Sequence, residues 1–293
     1  MINILYDCNV ALATMKCISL ILFFLKSIFW ICYNLYTEGV ISLLLQVENV
    51  KKCYGNKNIL TKVLDNLSLK VDRGEFICIM GASGSGKTTL LNCISTIDRV
   101  SSGNIYLNDI NVSELHDSEL AKFRREQLGF VFQESKLLST LTIEENIALP
   151  LTISGLDPAL IPERVSVIAK EFGIEGILKK YPYEVSGGEK QRSAAARAIV
   201  NNPSLLLADE PTGALDSRSA RILMEMLSKI NKQLHTTIVL VTHDPVSASY
   251  ANRVLFLKDG SIYNQINKGN RTFQFFYQQI LDVLSAMGGE ANA

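Results

Sequence analysis

The sequence predicts an α/β fold: a mixed, mainly parallel sheet with a phosphate-binding loop at one edge, an antiparallel β subdomain before it and a helical subdomain inserted into it. Three observations predict it. Residues 76–80 form an apolar run that leads into Gly81-Ala82-Ser83-Gly84-Ser85-Gly86-Lys87-Thr88 and then into Thr89-Leu90-Leu91, which reads as strand, phosphate loop and helix. Two more apolar runs, 205–208 and 236–242, end in Asp209-Glu210 and in His243. Continuous apolar strands of this kind belong inside a parallel sheet, with their carboxyl ends at the ligand edge. Ahead of the loop, residues 45–50 and 64–71 alternate apolar and polar, as strands with one face in water do.

The chain has 293 residues, and its 29 basic and 29 acidic side chains balance, so no global field argues for a nucleic-acid partner. Its six cysteines (Cys8, Cys17, Cys32, Cys53, Cys78 and Cys93) show no CxxC spacing and read as reduced residues rather than as a disulfide or zinc framework. Residues 1–42 form a separate apolar extension, interrupted by Lys16 and Lys26. No uncharged run there reaches the roughly 18–20 residues of a spanning helix, and a central lysine costs on the order of 3 kcal/mol on insertion. Two readings stay open: a start-site artefact, with the genuine start near Val40 or Leu43, or a membrane-associated helix. No A-x-A site follows, which argues against a secretory signal.

The globular part is expected to span residues 43–265, with a terminal helix and tail over 266–293. Tyr54 stands in a polar stretch between the first two strands, where an exposed ring could stack on a base. Residues 72–75 make a turn. In the phosphate loop, Gly81, Ser83, Gly84, Ser85 and Gly86 let successive N–H groups point inward at a polyphosphate, and the following helix adds its positive end. Lys87 would reach the β- and γ-phosphates, Thr88 would offer its hydroxyl to Mg²⁺, and Thr89 would bond a neighbouring phosphate oxygen. The chain is therefore expected to bind a nucleoside triphosphate. A helix over 88–97, a strand and turn over 104–110, a short helix over 118–125 and a buried strand over 128–132 ending in Gln133 follow. Helical patterns at 143–150 and 162–172 place an inserted helical subdomain at about residues 134–200, with Pro162 in a first turn.

Ser186-Gly187-Gly188-Glu189 precedes an Ala-rich helix and reads either as an ordinary helix cap or as a second anion site, a hydroxyl and bare N–H groups on the positive end of a dipole. It stands so far along the chain from the first loop that two chains facing head to tail, each lending this element to the other's nucleotide, is the expected arrangement. Asp209 would hold Mg²⁺ through water, and Glu210 would orient or deprotonate an attacking water. His243 lies at the same sheet edge, whereas His116 and His235 sit in polar contexts without a role. In the tail, Phe273, Phe276, Tyr277, Ile280, Leu281 and Leu284 recur at helical spacing and predict one face packed on the core.

Together these residues resemble the nucleotide-binding subunit of an ATP-binding cassette (ABC) transporter: the phosphate loop, Gln133 of the Q-loop, the signature 186–189, the Asp209-Glu210 pair, the D-loop Ala214-Leu215-Asp216 and the switch His243. Glu189 stands where many family members have Gln. Residues 123–133 and 145–150 are similar to the macrolide and lipoprotein exporter group, and residues 242–250 and 258–263 to the bacitracin-type peptide-resistance transporters of Gram-positive bacteria. The resemblance implies a P-loop NTPase with a RecA-like core and a homodimer closing on two ATP·Mg²⁺. It makes Glu210 the base, has Gln133 and His243 sense the γ-phosphate and metal, and counts Thr88, Gln133 and Asp209 as metal-side residues. It further implies a polytopic permease partner, a sensor kinase reached through it, and a place on the cytoplasmic face of the membrane. The alternative is a soluble cassette ATPase not linked to transport; against it stand the absence of a long heptad coiled coil, a second cassette or a basic face. No N-K-x-D motif points to a GTPase.

Overall fold

A computed structural model describes residues 43–56 and 59–289; both readings of the apolar extension lie outside the described residues. Strands β1 (Leu43–Asn56) and β2 (Ile59–Asp72) form a long antiparallel hairpin, joined by β4 (Ser102–Leu107) and β5 (Ile110–Asn111) in a four-stranded sheet of order β2-β1-β4-β5. The turn between β4 and β5 is made by Asn108 and Asp109, both at positive φ, a conformation that short polar side chains tolerate. A second sheet has six strands: β3 (Phe76–Met80), β6 (Leu128–Val131), β7 (Leu205–Asp209), β8 (Thr237–Thr242), β9 (Arg253–Lys258) and β10 (Ser261–Asn267). Its order is β10-β9-β3-β8-β7-β6, parallel throughout except for the edge strand β10.

Strand alternation divides the core into two layers. Phe76, Cys78, Met80, Leu206, Ala208, Ile238, Leu240, Val254 and Phe256 face the main helical layer. Ile77, Ile79, Leu205, Leu207, Val239, Val241, Leu255 and Leu257 face the small sheet and helix α1 (Lys87–Ile94). Because both faces are covered, β3, β7 and β8 read as unbroken apolar runs, as buried parallel strands should. Cys78 and Cys93 sit in these layers as free thiols, and burial pushes both up, Cys93 to about 11.

The helical layer contains α3 (Ile143–Ile153), α4 (Ile161–Glu171), α5 (Gly187–Ile199) and α6 (Ser217–Leu234), while α2 (Asp117–Gln127) precedes β6. Thr142 caps α3 in a capping box with Glu145, and Asp216 caps α6 by accepting from the N–H groups of Arg218 and Ser219. Helix α1 stops short of the expected residue 97 because Thr96 adopts φ 59°, which ends the helical path. A short helix α7 (Pro245–Ala248) follows His243, and α8 (Phe273–Gly289) closes the chain. Phe276 and Ile280 of α8 are buried and Val283, Leu284 and Met287 pack beside them, with Tyr277 and Leu281 half-buried at the margin. Phe273 instead meets Tyr250 edge-on, with ring centroids 5.1 Å apart. Among the described residues, no helix is long and apolar enough to cross a membrane.

Candidate active site

Strand β3 sits between β8 and β9, so the loop at its carboxyl end opens at the centre of the sheet edge. Gly81 is required by contact: a Cβ there would lie 2.4 Å from the Leu257 carbonyl oxygen and 2.6 Å from Ser85 Oγ. Gly86 is required by conformation, φ 103°, and its missing Cβ would lie 2.8 Å from the Val63 carbonyl oxygen. Lys87, a residue only 8 % exposed, begins α1, and its Nζ donates to the carbonyls of Gly81 and Ala82 at 2.9 Å each. The cavity over this loop measures about 820 Å³ and is lined by Val63, Ala82, Ser83, Gly84, Gly86, Lys87, Thr88, Thr89, Gln133, Glu210 and His243. Ser85 Oγ is buried beneath it without a hydrogen-bond partner.

Two strands over, the acidic pair projects from the end of β7. Thr88 Oγ1 donates to Asp209 Oδ1 at 3.3 Å, which joins the phosphate loop to the carboxylate edge. Burial raises the Asp209 carboxyl above its ordinary range and the charge of Glu210 adds to this, opposed by the Thr88 bond and by Lys87. Glu210 has φ 48°, in the left-handed region, and its N–H donates to the Val241 carbonyl at 2.8 Å. That turn brings its carboxylate to His243, whose Nδ1 lies 2.9 Å from Oε1 and 2.8 Å from Oε2. An Nδ1–H imidazole is the form that suits an acceptor-only carboxylate. Thr242 Oγ1 is 3.4 Å from Oε2. Gln133 lies across from this pair, against the turn after Glu210: a Cβ on Gly213 would be 2.9 Å from Gln133 Nε2.

The profile of the family described as ABC transporter matches residues 64–213. The chain is 52 % identical over 249 residues to the ABC transporter ATP-binding protein YxdL of Bacillus subtilis, covering 85 % of this chain and 96 % of that protein. It is 49 % identical over 249 residues to the bacitracin export ATP-binding protein BceA of Halalkalibacterium halodurans, covering 85 % and 98 %. The chain belongs to the ABC transporter ATP-binding family. Among solved structures it is similar to the dimeric post-hydrolysis state of the ATP-binding cassette MJ0796 bound to ADP and Pi, with TM-score 0.71, 38 % identity and coverage of 76 % of this chain and 98 % of that one. It is an ABC ATPase linked to transport, with the P-loop NTPase fold that the sequence predicts.

In this ABC subunit the predicted residues fall into two groups. Lys87, Thr88, Thr89, Ser83, Gly84, Gly86, Gln133, Glu210 and His243 share one cavity, with Asp209 bonded to Thr88. Tyr54 does not line it. The residue is 42 % exposed, its ring covered on one face by Lys52 Nζ at 4.6 Å, and its hydroxyl bonds Asp98 and lies by Thr89; burial and then Asp98 push its pKa up to about 12. Ser186, Gly187, Gly188 and Glu189 also lie outside the cavity, at the start of α5.

Three residues went unsuspected. Val63 lines the cavity, and the alternation of β2 could have placed it on that face. Gln191, 2 % exposed, donates from Nε2 to the Phe132 carbonyl at 2.6 Å. Arg197 donates to the carbonyls of Lys136 at 2.9 Å and Ser135 at 3.1 Å, and burial lowers its pKa. Helix α5 is thereby tied to both sides of Gln133, a long-range link that no local pattern signals.

The donors present suit the expected ligands. The unpartnered Ser85 hydroxyl and the glycine cradle fit a polyphosphate. Thr88, Gln133 and Asp209 offer hard oxygen atoms, and their small number suits Mg²⁺, which keeps several waters and binds through phosphates. Among the described residues no group of three or more His, Cys, Asp and Glu forms a metal cage.

Proposed function

We propose that this ABC ATPase acts as a homodimer, each phosphate loop holding a triphosphate that the signature residues 186–189 of the other copy complete. One observation carries it: a single chain gathers the phosphate loop, Gln133, Glu210 and His243 around one cavity, yet Ser186 and Gly187 are exposed and outside it. The dimeric form of the cassette similar in structure supports the same reading.

Within each site, Lys87 supplies a positive charge against the β- and γ-phosphates, and Glu210 accepts the proton of the water that attacks the γ-phosphorus. His243 holds the Glu210 carboxylate in place, and Gln133 senses whether the γ-phosphate is present. Thr88, Gln133 and Asp209 would hold Mg²⁺, which when bound would supply charge neutralisation on the phosphates. Catalysis is then mostly positioning and electrostatic stabilisation. Tyr54 stacks on the base with the ring face that Lys52 leaves free.

The subunit works on the cytoplasmic face of the membrane, where ATP is available, and drives a polytopic permease. Exposed apolar side chains on the helical block, among them the stacked Tyr181 and Tyr183, offer a surface for it. The naming of its relative BceA supports export of a bacitracin-like peptide; a role in resistance and a sensor kinase reached through the permease are part of the same reading and rest on the sequence resemblance alone.

Glu210→Gln tests the shared site. The variant should bind ATP, lose turnover and accumulate as a closed dimer by size-exclusion chromatography with light scattering. An ATPase rate equal to the native protein's would remove Glu210 from the role of base.

A further inference from the structure

The signature serine has a single proton to give, and in this chain it is already committed. Ser186 Oγ donates to Glu189 Oε2 at 2.7 Å, the Ser186 N–H donates to the same oxygen at 2.8 Å, and the Glu189 N–H returns to Ser186 Oγ at 3.3 Å. These bonds close a capping box at the start of α5. The Ser186 side chain, then its backbone N–H, hold the Glu189 carboxyl below the usual carboxylate range, so the acceptor is charged at neutral pH. Arg192 and Lys180 lie near enough to favour that charge further.

A phosphate oxygen can only accept. For Ser186 to bond one, its O–H must rotate away from Glu189, and the carboxylate is then left facing a second anion. A carboxamide at the same position could satisfy the Ser186 N–H while holding its hydroxyl by a weaker, neutral bond and facing the phosphate without a like charge. We propose that Glu189 is a positioning residue that latches the open state: it holds the Ser186 proton until a partner's γ-phosphate competes for it, and recaptures that proton once the γ-phosphate has gone. This rests on the partner-shared site proposed above. It gives the departure from Gln at this position a function: the latch raises the ATP concentration needed for closure and speeds reopening.

The test uses the full chain carrying Glu210→Gln, with ATP-dependent dimer formation read by light scattering, alone and with Glu189→Gln added. Gln serves the capping box as well as Glu does, so the helix start is retained; an unchanged melting temperature verifies it. The half-maximal ATP concentration should fall about fivefold, equivalent to the ~1 kcal/mol by which a charge-assisted hydrogen bond exceeds a neutral one. In the chain with native Glu210, Glu189→Gln should lower KM and kcat together, because closure is easier and reopening slower. A damaged helix cap would instead raise KM. An unchanged or higher dimerisation midpoint overturns the latch alone. Failure of the Glu210→Gln chain to dimerise with ATP at any concentration overturns the shared site, and the latch with it.

Discussion

Asp209→Asn should make the nucleotide-free protein more stable while disabling it. The carboxylate at the end of β7 has one weak neutral donor, Thr88 Oγ1 at 3.3 Å, and the like charge of Glu210 beside it. Its pKa is raised by burial first and by Glu210 next, so the folded protein holds this proton more tightly than the unfolded chain does. The sign follows. Below the unfolded value the group contributes its full stability; as pH rises through the folded pKa that contribution is lost, and at neutral pH the ionised carboxylate is a net cost. An amide of the same shape keeps an acceptor for Thr88 and removes the charge. The gain is about 1 kcal/mol, at the low end for a poorly paired buried charge because solvent still reaches it. For a domain of this size that is a rise of roughly 2–4 °C in melting temperature. Thermal unfolding without nucleotide or divalent cation, at neutral pH and in acid, provides the assay. The variant should melt higher at neutral pH, the gap should close in acid as native Asp209 takes up its proton, and Mg²⁺ with nucleotide should stabilise the native protein more than the variant. A variant that melts below the native protein at neutral pH, or a gap that ignores pH, refutes the reasoning.

Lys87→Ala removes the buried ammonium that holds the Gly81 and Ala82 carbonyls, so nucleotide affinity should fall at least about tenfold, the scale of one strong charge-assisted contact. Equilibrium binding of a fluorescent ATP analogue measures it, and near-native affinity would contradict the cradle. Gly129→Ala places a Cβ 2.3 Å from the Ala198 carbonyl oxygen and 3.0 Å from both Leu206 and Pro203 side chains, forcing β6 away from α5. The overpacking should cost about 1–3 kcal/mol in chemical denaturation, and an unchanged midpoint would mean that the two elements part freely.

Much of this was legible locally. The strands β3, β7 and β8 announce themselves as unbroken apolar runs because both of their faces are covered, and the motifs at their ends therefore share an edge. The glycines of the phosphate loop carry their own steric reason. Pairing across the sheet is what stays hidden. That His243 rests on the Glu210 carboxylate depends on β7 and β8 being neighbours and on the positive φ of Glu210. The packing of Gln133 on Gly213, and the grip of Gln191 and Arg197 on residues 132–136, join segments whose patterns say only strand, turn and helix. Helix α1 ends at Ile94 because of one left-handed residue, Thr96, whose type does not advertise it.

The placement of β3 between β8 and β9 has a consequence for biosynthesis. The ribosome makes Phe76–Met80 early, but both of the strands that flank it come after residue 236, about 160 residues later. At ordinary elongation rates that is a wait of on the order of 10–30 s, during which this wholly buried apolar strand has two open edges. A nascent chain can thus display its phosphate loop, signature and acidic pair and still lack the walls that shape them. The nucleotide cradle therefore takes form only after residues 237–258 have been made and paired with β3.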